Sequence, residues 1–314
     1  MNQLEKTHWI FDSLSKTTDK ACKKSLKLLK TENVEEFEEA VPQLRDNYKT
    51  IRAALRLVRD DYKNYKKENE FYRDEAKKVL NVQQSIAMAK AVALINEQYS
   101  DRLYKNAFTD LQDKLDEHRR QQIETALNED HIFQEMHQNL QDQCEVLKDD
   151  ISNPISRNTV LSGLKRVYKR GRKAQEKLSD SQAHEDFHEL QKRTNYLSIQ
   201  MGMLREIWPD IVDPLKSELE KLSQLLVTSE GLYQLSVFLR NNADMDNKDN
   251  GVYLMNTLIE GHREQVQQHA KLLAKKVFSL KPKHFRKYIE TAWDAHEAES
   301  AQQMLPSEKL KLSK

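Results

Sequence analysis

Helical spacing is the feature that most limits the folds open to this chain. Leu44, Tyr48, Ile51, Leu55 and Val58 recur at alternating four- and three-residue steps. Leu190, Thr194, Leu197, Met201 and Leu204 repeat the pattern far downstream. At about 100° per residue, such steps keep one face of an α-helix apolar. Only 6 Gly and 6 Pro are spread over 314 residues, too few turn formers for a sheet-rich fold. The expectation is an all-α protein. Each helix is too polar on one side to stand alone, so the helices must pack as bundles around leucine-rich stripes.

Breaks are expected at Asn33, around Ile151 to Pro154, at Trp208-Pro209, at Asp213-Pro214, near Asp244 to Gly251, and at Lys281-Pro282. The residue before a proline disfavours helix, so Ser152-Asn153-Pro154 is the natural domain boundary. It divides the chain into halves at 1–150 and 151–300, with a polar tail at 301–314. Each half is long enough for its own helical bundle.

A constant offset relates the halves. Lys20, Lys23, Lys24 and Lys27 stand 146 positions before Arg166, Lys169, Arg170 and Lys173. The same offset carries Val41-Pro42-Gln43-Leu44 onto Phe187-His188-Glu189-Leu190, and Leu80 and Ile86 onto Leu226 and Leu232. One offset across three separated segments argues for an internal duplication.

Charged residues make up 32% of the chain, yet the net charge is only +1. Long-range attraction to nucleic acid is therefore weak, and local clustering matters more. Residues 165–177 hold seven basic residues against the single acid Glu176. Arg45, Lys49, Arg52 and Arg56 fall within a helical sector of roughly 60°, away from the Leu44 face. Arg166, Lys169, Arg170, Lys173 and Lys177 share another. Like charges at these spacings repel by a few tenths of a kcal/mol per pair. A merely solvated face would more often alternate signs. The stripes match a ligand with repeated negative charge: polyphosphate, nucleic acid or anionic headgroups. Aromatic residues are only 7% and fall mostly on apolar faces, which disfavours base stacking.

Mean hydropathy is -0.84, and no apolar run approaches the roughly 18 residues needed to span a bilayer. The basic faces also lack large apolar residues to insert into a membrane. The first residues do not read as a secretory signal, and Cys22 and Cys144 have no metal-ligand spacing. Reduced thiols in the cytoplasm are expected. His118, His131, His137, His262, His269 and His284 form no i, i+4 pair with a carboxylate partner. There is no His-Glu-x-x-His, Cys-x-x-Cys, Gly-rich phosphate loop or Gly-x-Ser-x-Gly elbow. The sequence specifies no enzyme, cofactor or metal site.

The segment Arg166-Val-Tyr-Lys-Arg-Gly-Arg-Lys-Ala174, followed by Phe187-His-Glu-Leu-Gln-Lys-Arg-Thr-Asn-Tyr-Leu197, resembles the second repeat of CHAD domains, the conserved-histidine α-helical domains. Leu258-Ile-Glu-Gly-His-Arg263, Ala274-Lys-Lys-Val-Phe278 and the run from Lys281-Pro282 to Trp293 extend the likeness. Val41-Pro-Gln-Leu-Arg45 and Ile51-Arg-Ala-Ala-Leu-Arg56 carry it into the first half.

The resemblance implies two bundles related by a pseudo-twofold, with a basic groove or pore that holds inorganic polyphosphate without catalysis. The implied binding set is Lys20, Lys24, Arg45, Lys49, Arg52, Arg56, Arg166, Lys169, Arg170, Lys173, His188, Lys192, Arg263, Lys275 and Lys276. It implies no sequence-specific nucleic acid partner and no membrane insertion. A cytoplasmic location, at polyphosphate granules, goes with it. Oligomeric state is left open, and the rival reading is a helical scaffold for an acidic protein.

Several positions depart from the family pattern. Pro42 stands where the first repeat usually has histidine. Gln191, Asn195 and Ser198 replace positions that are commonly basic, whereas His188, Lys192 and Arg193 match. Gln84-Ser85 and Glu230-Gly231 replace an Arg-Asp and a His-Asp element. The groove is therefore expected to be lopsided, with the Arg45 and Arg166 helices carrying most of its charge.

Overall fold

The computed structural model describes residues 8–101, 103, 108–151, 155–178, 183–241 and 250–303. Among them every regular element is helical, as the stripe spacing predicts. The first half contains α1 (His8–Leu28), α2 (Val34–Leu57), α3 (Tyr65–Lys78), α4 (Leu80–Gln98), α5 (Thr109–Glu124) and α6 (Ile132–Ile151). A π-helical turn, Thr125–Glu129, joins α5 to α6. The second half contains α7 (Arg157–Lys177), α8 (His184–Met203), α9 (Pro209–Asn241), α10 (Asn250–Val277) and α11 (Pro282–Gln303). A short 3-10 turn, Arg205–Ile207, precedes α9.

Local chemistry sets several helix starts. The Asn33 side chain accepts from the Glu36 amide at 2.8 Å, and Glu35 and Glu36 face the positive end of α2. Ser156 caps α7 through the Thr159 amide at 3.1 Å. Pro209 and Pro282 open α9 and α11, where a missing amide costs nothing.

The break expected at Asp213-Pro214 does not occur. Helix α9 runs straight through Pro214. The lost amide lies near the helix start, where one bond is forfeited. Arg205 holds Asp213 with a two-pronged contact at 2.8 Å, and buried Val212 and Leu219 keep the segment on the core. The expected boundary at 152–154 and positions 244–249 of the expected loop lie outside the described residues, whereas Asn250 and Gly251, also expected in that loop, already belong to α10.

Both stripes read from the sequence are buried: Leu44, Tyr48, Ile51, Leu55 and Val58 on α2, and Leu190, Thr194, Leu197, Met201 and Leu204 on α8. Burying each large apolar side chain contributes about 1.5–3 kcal/mol. Helices α2 and α8 meet at the centre of the main core, where Gln200 Nε2 donates to the Ala53 carbonyl at 2.9 Å. A second, smaller core joins α4, α5, α9 and α10 around Ile95, Leu115, Leu235 and Met255.

Neighbour relations recur between the halves. Helix α1 packs on α2 and α6, and α7 packs on α8 and α11. Helix α4 packs on α5, and α9 packs on α10. Where the first half has α3 and α4, the second has the 33-residue α9. Helices α2 and α7 also touch directly, which brings the Arg45 and Arg166 faces onto neighbouring elements.

Candidate functional site

The basic face of α2 is not free in solvent: α3 packs beside it and half-buries its arginines. Arg45 donates to the Ala76 carbonyl. Arg52 Nε donates to Asn69 Oδ1 at 3.4 Å, and Arg56 Nη1 donates to the same oxygen. Both guanidinium groups sit over the Tyr196 ring of α8, at 5.9 and 4.4 Å from its centroid. Arg59, one turn on, lies 5.2 Å from the Tyr65 ring.

Three more helices add cations. Burial, then the charges of Arg193, Arg56 and Arg59, lower the pKa of Arg170 on α7. Burial, then Arg56 and Arg73, do the same to Arg52. Such shifts require these charges to feel one another, so α2, α3, α7 and α8 share one arginine cluster. Arg193 is held by Glu189 and Arg73 by Asp74. Among the described residues, Arg52, Arg56, Arg59 and Arg170 have no carboxylate partner within ion-pair distance. Arg56 Nε is buried without an acceptor. Crowded like charges with unused donors are the chemistry that an anion would satisfy.

A second polar group lies on the opposite flank of α8, against α9 and α10. His184 Nε2 and His188 Nδ1 stand 3.4 and 3.5 Å from the same oxygen of Glu230, Oε2. Gln234 donates to the other oxygen, Oε1, at 2.8 Å. Tyr233 stacks on His184 with centroids 3.6 Å apart, and the Arg263 guanidinium lies 5.0 Å from the Tyr233 ring centroid.

The described helices include none long and apolar enough to cross a membrane. A family model, the CHAD domain, matches residues 9–240. This chain belongs to the CHAD domain family. The crystal structure of the CHAD domain from the plant Ricinus communis is similar in fold, with a TM-score of 0.62 at 9% identity. That likeness covers 88% of this chain and 92% of the plant chain. No curated protein matches the sequence.

On this CHAD fold, the implied binding residues separate into groups. Arg52, Arg56 and Arg170 meet in the arginine cluster, with Arg45 on the same α2 face. Lys173 is one turn from Arg170 and exposed, as is Lys169. Lys49 pairs with Asp46 at 2.8 Å, and Lys192 with Glu189 at 2.9 Å. Arg166 pairs with Asp60 at 2.6 Å, leaving a buried Nη1 without a partner. Lys20 and Lys24 are exposed on α1, and Lys275 and Lys276 are exposed in the last turn of α10. His188 and Arg263 belong to the Glu230 group.

Arg59, Arg73, Asn69, Tyr65 and Tyr196 were not foreseen. Arg59 continues the α2 sector by one turn and was readable from spacing. Nothing in the acid-rich α3 sequence marks Asn69 or Tyr65. The i, i+4 pair His184/His188 was also visible in the sequence; its carboxylate partner is 42 residues beyond His188, on α9. The uncharged positions Gln191, Asn195 and Ser198 leave α8 without a counterpart to the α2 stripe; Arg193 is its contribution to the cluster.

Proposed function

We propose that this CHAD protein binds inorganic polyphosphate, without turning it over, at the arginine cluster of α2, α3, α7 and α8. The observation that carries this reading is the set of four arginines, Arg52, Arg56, Arg59 and Arg170, gathered with no carboxylate in ion-pair contact among the described residues. Phosphate oxygens would accept from the guanidinium forks and release condensed counterions. Lys169 and Lys173 extend the positive surface along α7 for a chain longer than the cluster. The family resemblance supports the same ligand class. The recurring neighbour relations support a duplication with halves at 1–150 and 151–300. The cluster draws unequally on them: Arg52, Arg56, Arg59 and Arg73 come from the first half, and Arg170 and Arg193 from the second. A cytoplasmic setting suits the reading.

Long-chain polyphosphate titrated over a salt series tests it, with DNA of matched charge as competitor. Affinity should fall as salt rises, and polyphosphate should win. Reversing Arg56 and Arg170 to Glu should cut affinity more than tenfold, because each charge-assisted bond is worth about 1.5–3 kcal/mol. The slope of log affinity against log salt should shrink by about 1–2. Binding without a salt slope, or equal binding to DNA, would sink the proposal. An acidic protein captured in its place, insensitive to added polyphosphate, would favour the scaffold reading.

A further inference from the structure

We propose that His184, His188 and Glu230 form a binding site for a borderline divalent transition-metal ion, with Zn²⁺ the best match. The argument begins with distance. His184 Nε2 and His188 Nδ1 lie 3.4 and 3.5 Å from Glu230 Oε2. Ordinary N–H···O bonds span about 2.7–3.2 Å, so both contacts are long for hydrogen bonds. Zinc bonds to nitrogen and carboxylate oxygen of about 2.0–2.1 Å set the edges of a tetrahedron at about 3.3–3.4 Å. The two observed separations are those edges. Each of the three residues offers a donor atom within 4.8 Å of the others, so the remaining edge, between the two imidazoles, is at most 4.8 Å.

The surroundings hold the donors in place. Gln234 occupies Glu230 Oε1, which leaves Oε2 turned to the imidazoles. The Tyr233 stack fixes the His184 ring. Such supporting contacts orient the ligands of known metal sites.

The donor set selects the ion. Two imidazoles and one carboxylate suit Zn²⁺, Ni²⁺ or Cu²⁺, whereas Mg²⁺ and Ca²⁺ prefer oxygen throughout. Three protein ligands leave one position for water. The His188 side chain is 47% exposed, so that position opens to solvent. Arg263 brings a positive charge near Glu230 and tempers the affinity.

The test uses the full chain and ZnCl₂ alone, in buffer free of phosphate and polyphosphate, so its result is independent of the function proposed above. Titration calorimetry against a zinc-chelating dye should give one Zn²⁺ per chain. His188→Ala and Glu230→Gln should each weaken binding at least tenfold, while His269→Ala, exposed on α10, should leave it unchanged. Co²⁺ should produce the visible absorption of a four-coordinate ion in the parent chain and lose it in His188→Ala. Both variants must keep the parental far-UV circular dichroism; His188 is surface-exposed, so its removal leaves the fold intact. No saturable binding, or equal affinity in the parent and His188→Ala, overturns the proposal.

Discussion

Tyr196 has a core position and a surface consequence. Its residue is buried, yet its ring carries Arg52 and Arg56. A cation over an aromatic face gains about 0.5–1 kcal/mol at exposed sites and about 2 when desolvated. The ring therefore helps to hold two guanidinium groups that repel each other. Tyr196→Phe keeps the π face and should preserve polyphosphate affinity. Tyr196→Leu keeps apolar volume but removes the face, and should weaken binding roughly three- to tenfold, two such contacts being lost. Comparing the two variants by titration at fixed salt decides the matter. Equal affinities would mean that Asn69 and helix geometry alone place the arginines.

The close crossing of α7 and α2 depends on one missing side chain. A Cβ at Gly163 would lie 2.1 Å from the Leu57 carbonyl oxygen and 2.9 Å from Leu57 Cα, all backbone that cannot step aside. Gly163→Ala should therefore destabilise the fold. Overpacking costs about 1–3 kcal/mol or more, which exceeds the roughly 0.5–1 kcal/mol that Ala gains over Gly inside a helix. Gly261 is the internal control. It sits on α10 with nothing within 4 Å, so Gly261→Ala should stabilise by about 0.5–1 kcal/mol. Thermal melts should move in opposite directions, by roughly 2–4 °C per kcal/mol. A Gly163→Ala melt equal to the parent would show that α2 and α7 can part at little cost, and the arginine cluster with them. At this scale the sequence was most legible. The stripes on α2 and α8 announce themselves because burial selects a 3.6-residue period regardless of partner. Proline punctuation was less reliable: Pro209 and Pro282 start helices, whereas Pro214 lies inside one because tertiary contacts outweigh one lost bond.

Across the whole molecule, what escaped the sequence was juxtaposition. Arg56 and Arg170 each stand out on a local stripe, but no local pattern says that Tyr196, Asn69 and Arg73 complete their surroundings. Likewise, His184 and His188 gain a partner only when α9 returns Glu230 to α8. The same long-range packing places other histidines in the smaller core. His118 on α5 packs against Phe238 of α9 at 4.8 Å, and His262 on α10 meets Tyr99 edge-on at 6.3 Å. Burial lowers the pKa of both below the ordinary value of 6.5, and burial likewise lowers that of His184. The unfolded chain therefore binds protons more readily than the folded one as pH falls below about 6.5. Stability contributed by these neutral rings is fully present above that pH and is lost as pH falls through the lowered folded values. Glu75 acts in the opposite sense, because burial raises its carboxyl pKa. Variants must isolate the histidines. In the presence of a metal chelator, the melting temperature of the parent should drop between pH 7 and 5 more than that of a His118→Phe, His262→Leu double variant. Parallel pH profiles would place the acid-sensitive groups outside the α4, α5, α9 and α10 core.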